Sequence, residues 1–355
     1  MIYFSPQKVG QPQARQATRR LTAGRTSPSA QGVEPMNQSN YDEQNRVKAS
    51  FYAAYTALTP HRYLHNMTAV DYRMADYMNP FLTAVVDASV SPSPQRPVRI
   101  LDLGCSYGVS GALLKTDCSY QELAKFFRYE TSSEYSSCVT ESKRWLESHV
   151  GREDVEVVGF DSSAEAIRFA TASRMIDKGI TCNLEENESE LTEDERSLIR
   201  QCDVLLSTGV IGYVTAKTVS PILDAFGHDA RGPLGAVAIM SVLELFDPEP
   251  IAESFAEHGY RFGQLPIRMP QRRFVDEEER EGVLEALRDR GEPTAVQDSE
   301  DHMFASLCVA AHPQSFEVLA KRMSDVAEAL PAKVRLGHQE PTTFSESSVS
   351  GSSVE

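Results

Sequence analysis

The chain has 355 residues, 41% of them hydrophobic, enough to bury one large core plus a small cap, since single domains commonly run to about 250 residues. Its formal charge of -16 repels phosphate backbones and disfavours a nucleic-acid ligand, and no apolar run approaches the roughly 18 residues that a membrane-spanning helix needs. The six cysteines, Cys105, Cys118, Cys138, Cys182, Cys202 and Cys308, are scattered without a Cys-x-x-Cys pair, which suits a reducing, cytoplasmic setting rather than a zinc knuckle.

Residues 1–36 are rich in Gln, Ser, Arg and Pro and read as a disordered leader, because such a composition buries too little apolar surface to order itself. Lys8, Arg15, Arg19, Arg20 and Arg25 precede its first acid, so an organellar transit peptide is an alternative, and Met36 is a second candidate start. Residues 37–92 are expected to form a helical cap, from the spacing of Phe51, Tyr52, Tyr55 and Leu58 and then Val70, Met74, Met78, Phe81, Leu82 and Val85. Within the cap, His61 and His65 lie one helical turn apart; a metal would need further ligands and none is expected, whereas His65 is a candidate general base. Tyr63, Tyr72 and Tyr77 either fill the cap or line a pocket, and Tyr72 is a substrate-binding candidate. The prolines of Ser91-Pro-Ser-Pro-Gln-Arg-Pro97 end the cap.

Short apolar runs then alternate with helical ones, the pattern of a doubly wound α/β domain over residues 93–330. Seven strands are expected, at 98–103, 155–160, 180–184, 203–207, 234–245, 261–268 and 303–311, in a mostly parallel sheet. Hydroxyl-to-glutamate capping pairs mark helix starts at Ser119 with Glu122, Thr131 with Glu134, Ser162 with Glu165 and Thr192 with Glu195, and Gly179 is expected to end the helix that opens at Ser162. Residues 331–355, rich in Ser and Glu, are expected to form a disordered tail.

The run Val98 to Leu114 joins a buried strand, a glycine turn and a helix start. Gly104 and Gly108 let the backbone approach a ligand, and the exposed N–H groups of the helix start favour an anionic or nucleotide-type group. A second apolar strand ends in Asp161, where the first acid after such a turn bonds ribose hydroxyls; the same residue also suits a helix N-terminus. Gly108 and Asp161 stand 53 residues apart, where about 20 is usual in a dinucleotide fold. Leu123, Phe126, Phe127, Trp145 and Leu146 fit a helical hairpin inserted at about 115–152.

Asp102-x-Gly104-x-Ser106-x-Gly108, followed by Asp161 and by Asn183-Leu184, resembles the class I, Rossmann-like S-adenosylmethionine-dependent methyltransferases over roughly residues 98–312. The resemblance implies S-adenosyl-L-methionine as cofactor. It places Asp102, Gly104 and Ser106 along the methionine moiety, Asp161 at the ribose, Asn183 and Leu184 at the adenine, and Ser207, Thr208 and Gly209 facing the sulfonium, with Cys105, Gly108 and Ser162 as further cofactor-binding candidates. Ser106 departs from the pattern, which has glycine there. The fourth strand ends in Gly209-Val-Ile-Gly-Tyr213 rather than an Asn/Asp-Pro-Pro-aromatic sequence, which argues against adenine or glutamine amide methylation, and the ring of Tyr213 is a candidate for the sulfonium. Tyr107 and Arg272 are further substrate-binding candidates, with Arg272 either clamping a carboxylate or forming a surface pair with the acids of 276–279.

The expected activity is methyl transfer to a small molecule enclosed by cap and insertion. Two alternatives remain open on the sequence: cleavage or cyclisation of S-adenosylmethionine with release of methylthioadenosine, as in azetidine-2-carboxylate synthases, and a non-catalytic S-adenosylmethionine-binding protein.

Overall fold

The computed structural model describes residues 52–89, 96–149, 151–186, 188–230, 232–330, 335–336 and 342–343. The expected leader, the first part of the expected cap, most of its proline-rich end and most of the tail lie outside these residues.

Two helices, α1 (Tyr52–Tyr55) and α2 (His61–Ala69), precede α3 (Met74–Ser89). Strand β1 (Val98–Leu103) follows, then α4 (Val109–Lys115), α5 (Tyr120–Tyr129) and α6 (Tyr135–Glu147) before β2 (Val155–Asp161). The next units are α7 (Ala164–Ala172), β3 (Lys178–Thr181), α8 (Glu193–Arg200), β4 (Val204–Thr208), α9 (Ala216–Leu223), β5 (Val237–Leu243) and α10 (Glu249–Glu257). Strand β6 (Arg261–Arg273), α11 (Glu277–Asp289), α12 (Ala295–Glu300), β7 (His302–Ala311) and α13 (Pro313–Ala329) complete the domain.

The sheet runs in the order β3-β2-β1-β4-β5-β7-β6, parallel except for β7, which lies antiparallel to both β5 and β6. This is the doubly wound, mostly parallel seven-stranded α/β sheet expected from the sequence. Alternation along the strands feeds two cores: Ile100, Val157 and Val204 face one helical layer, and Leu101, Val158 and Leu205 face the other. Strand order reverses at β1 and β4, so their carboxyl ends splay apart and leave a crevice.

Helix α3 differs from its expected role. Phe81, Val85 and Val86 are fully buried with residues of β4, β5 and α13, so it is a layer helix of the sandwich and only α1 and α2 remain as cap. Helices α5 and α6 occupy the interval between α4 and β2, with Phe126 stacked on Trp145 at 4.9 Å.

Local signals were met unevenly. Ser119 and Thr192 form capping boxes with Glu122 and Glu195. Ser163, not Ser162, caps α7, and Glu134 is itself the cap of α6 rather than the partner of Thr131. Helix α7 stops at Ala172, before the left-handed Arg174, and Gly179 lies inside β3. A Cβ there would come within 2.5 Å of Ile167 Cγ2, so glycine serves helix-on-sheet packing instead of a cap. The tail is not wholly unpaired: β8 (Arg335–Leu336) and β9 (Thr342–Thr343) add to the outer edge of β6, whose backbone groups would otherwise be exposed there.

Candidate active site

Strand β1 carries Asp102 to the crevice, and the turn that follows is held in an unusual backbone. Gly104, Ser106 and Gly108 all take positive φ, of 76°, 50° and 78°. Ser106 thus adopts the conformation that the missing glycine would favour, at a cost of about 1–2 kcal/mol. The space beside the glycines is occupied by protein: a Cβ on Gly104 would meet Val210 Cγ2 at 2.7 Å, and one on Gly108 would meet Met175 Cβ at 2.9 Å. Close approach at these glycines is to Val210 and to the segment after α7.

Asp161 locks this turn. Its Oδ2 accepts from Ser106 N–H and its Oδ1 from Ser163 N–H, both at 2.9 Å, and the carboxylate is buried. Asp102 differs. It is 1% exposed, its Oδ2 has no partner in the protein, and burial together with the nearby charge of Asp161 pushes its pKa up to about 7.

Around Asp102, other buried side-chain oxygens lack protein partners: Ser106 Oγ on the turn, Ser162 Oγ after β2, Ser207 Oγ and Thr208 Oγ1 on β4, and Gln271 Oε1 on β6. Buried polar atoms are normally paired, and an unmet one costs about 1–3 kcal/mol, so such a set at a crevice makes it a candidate ligand site. Gln271 and Ser241 escaped the sequence reading. Ser241, whose Oγ accepts from Gly209 N–H at 2.8 Å, was legible as the lone polar residue of a buried strand. Gln271 carried no such signal.

A groove beside the turn is lined by Gly104, Asp161, Ser162, Asn183 and Leu184, with Val214 and Thr218 opposite. It gathers the residues assigned to ribose and adenine, yet it offers only about 10 Å³ of free space. Glu185 latches its walls together by accepting from Thr215 N–H and Oγ1–H, each at 2.9 Å, and from Thr218 Oγ1–H at 2.6 Å. Cys105, also assigned to the cofactor, has its thiol pKa raised by burial and is no nucleophile at neutral pH.

The substrate candidates fare differently. Tyr107 is fully buried, and its hydroxyl donates to the Ala57 and Ala54 carbonyls at 2.7 and 3.1 Å, so it ties the cap to the turn rather than facing a substrate. Ser163 Oγ–H adds a second tie, to Tyr55 O at 2.8 Å. Arg272 is buried and paired bidentately with Glu279 at 2.8 and 2.6 Å, which makes it neither a surface pair nor a free carboxylate clamp. Tyr72 does reach the crevice, donating to Thr208 O at 3.3 Å, and burial raises its pKa strongly. Tyr213 is half-buried near Arg272, with its pKa pushed up to about 12 mainly by burial. His65 is exposed and lines a separate cavity of about 660 Å³ between α2 and α5, so the structure does not bring it together with Tyr213.

Among the described residues, no group of three His, Cys, Asp or Glu side chains is placed to hold a metal ion, and no helix is long and apolar enough to cross a membrane.

No family model and no curated protein matches this chain. Solved structures similar to it include DesVI of Streptomyces venezuelae, with 9% identity over 72% of this chain and 99% of that one (TM-score 0.36). The plantazolicin methyltransferase BpumL in complex with SAH is 11% identical over 78% and 97% (TM-score 0.35). A TehB-like SAM-dependent methyltransferase from Corynebacterium glutamicum is 14% identical over 64% and 85% (TM-score 0.31).

Proposed function

We propose that this chain is an S-adenosylmethionine-dependent methyltransferase acting on a small molecule. The observation that carries the reading is the set of unpartnered buried oxygens at the carboxyl ends of β1 and β4, centred on Asp102 Oδ2. When bound, S-adenosylmethionine supplies an electrophilic methyl on a sulfonium. The residues here fit the rest of that molecule: Asp102 and the hydroxyls of Ser106 and Thr208 offer acceptors to an ammonium, Asp161 to ribose hydroxyls, and the groove at Asn183 and Leu184 an apolar slot for adenine.

Entry of a nucleoside requires Val210 and Val214 to move off the turn and the groove. The chain's contribution to rate is then alignment and exclusion of water, with Tyr72 and Tyr213 presenting rings beside the strand ends and no obligatory base. The 660 Å³ cavity between α2 and α5 supports a separate acceptor over cyclisation of the cofactor on itself.

Calorimetry with S-adenosylmethionine tests the site. Asp161→Ala is expected to weaken binding at least tenfold. Because that change also releases the amides of Ser106 and Ser163, Asn183→Trp, at a half-buried position on the groove wall, provides a second variant that fills the slot. Unaltered affinity in both folded variants would place the cofactor elsewhere.

A further inference from the structure

We propose that the cavity between α2 and α5 is the acceptor pocket and that it selects an organic anion, an apolar body bearing one carboxylate or phosphate; this rests on the methyltransferase reading. The chain is strongly acidic overall, but this cavity inverts the sign. Four cationic side chains line it, Arg73, Lys125, Arg128 and Arg273, against one carboxylate, Asp71. Arg73 is committed to Asp76 at 2.7 Å, and Asp71 lies 3.7 Å from His302. Lys125, Arg128 and Arg273 form no ion pair among the described residues.

Lys125 and Arg128 are three residues apart on α5, on the face that also carries Gln121 and Ala124 to the cavity, while Leu123 and Phe126 on the other faces are buried in the core. Arg273 arrives from the end of β6, with its guanidinium donating to Ala69 O at 3.0 Å, which fixes it at the rim opposite α5. The floor is apolar, from Leu64, Ala124 and Phe127. His61 adds no charge at neutral pH: its ring nitrogens are engaged by Thr59 and Thr131, and burial lowers its pKa. Tyr120, 2% exposed, lines the cavity with its hydroxyl unpartnered and Thr68 close but outside hydrogen-bonding geometry, leaving a buried donor for a ligand oxygen. A cavity of about 660 Å³ lies within the usual range for small-molecule sites of about 300–1,000 Å³.

The pocket also adjoins the reaction centre. Asp71 and Arg73, which line the cavity, flank Tyr72, whose hydroxyl bonds the end of β4, so this short segment links the cavity to the strand ends. An anion held by Lys125, Arg128 and Arg273 would direct the opposite end of the molecule past Tyr72 toward the strand ends.

Calorimetry with three probes of similar shape, 2-naphthoate, 2-naphthyl phosphate and 2-naphthamide, tests the selection on the full chain. Binding of at least one anion tenfold or more tighter than the amide is expected, and comparison of the two anions separates carboxylate from phosphate recognition. The Lys125→Glu/Arg128→Glu double variant changes only exposed side chains and is expected to abolish the preference while leaving amide binding and S-adenosylmethionine binding unchanged. Equal binding of anions and amide, or a preference that survives the double variant, overturns the proposal. S-adenosylmethionine binding without anion preference removes the anion pocket alone; anion preference in a protein that never binds S-adenosylmethionine removes the cofactor reading and, with it, the role as acceptor pocket.

Discussion

Asp102 concentrates the chemistry of the site in one ionisable group. Its carboxyl is buried with one oxygen unmet, and its pKa is raised from near 4 to about 7 by burial first and Asp161 second. Between those values the folded chain holds a proton that the unfolded chain has released. The stability this group contributes is therefore fully present below about pH 4 and is lost as pH rises toward 7. A cationic ligand group reverses the preference, because it pairs with the ionised form. Affinity for S-adenosylmethionine is expected to rise several-fold between pH 5.5 and 7.5, and Asp102→Asn is expected to flatten that profile and weaken binding at pH 7.5 by at least tenfold. The same variant, freed of a buried charge, is expected to melt at or above the wild-type temperature at pH 8. Thermal melts and calorimetry at both pH values check the two effects, and a variant that melts well below wild type with unchanged affinity would make Asp102 purely structural.

At the scale of elements, the closed groove is the feature with consequences for dynamics. The loop after β3 is joined to the start of α9 by the three hydrogen bonds that Glu185 accepts, beside the groove that Asn183, Leu184 and Thr218 line. Glu185→Ala is expected to cost about 1–3 kcal/mol of stability, read from urea unfolding, because the Thr218 hydroxyl and Thr215 amide lose a charged partner. It is also expected to accelerate cofactor association in stopped-flow measurements; an unchanged association rate would mean that the groove opens by another route. The same elements show what the sequence made legible. Strands β1 and β2 were readable almost to the residue, because continuous apolar runs ending in Asp102 and Asp161 have few alternatives. The role of α3 was not, since its stripe of Met74, Met78, Phe81, Leu82 and Val85 fits a cap and a sandwich layer equally well, and only tertiary contacts distinguish them. The pairing of Arg272 with an acid of 276–279 is readable from spacing, but neither the burial of its pair with Glu279 nor the anchoring of Tyr107 to Ala57 leaves such a trace.

Taken as a whole molecule, the chain holds two unlike spaces. One is a tight crevice of unmet oxygens at the reversal of strand order, and the other is a roomier, positively lined cavity between cap and insertion. The α1 segment is tied to the glycine turn by Tyr107 and to the end of β2 by Ser163. Such a division suits a reaction between two molecules, one in each space, and it sets methyl transfer apart from self-cyclisation by the product that leaves. The most direct measurement is the identity of the nucleoside released when purified protein turns over S-adenosylmethionine labelled in the adenosine moiety, with and without a cell extract as acceptor source. Negligible turnover alone and S-adenosylhomocysteine on addition of extract are the predicted results. Sustained, protein-dependent release of methylthioadenosine without any acceptor would contradict the account.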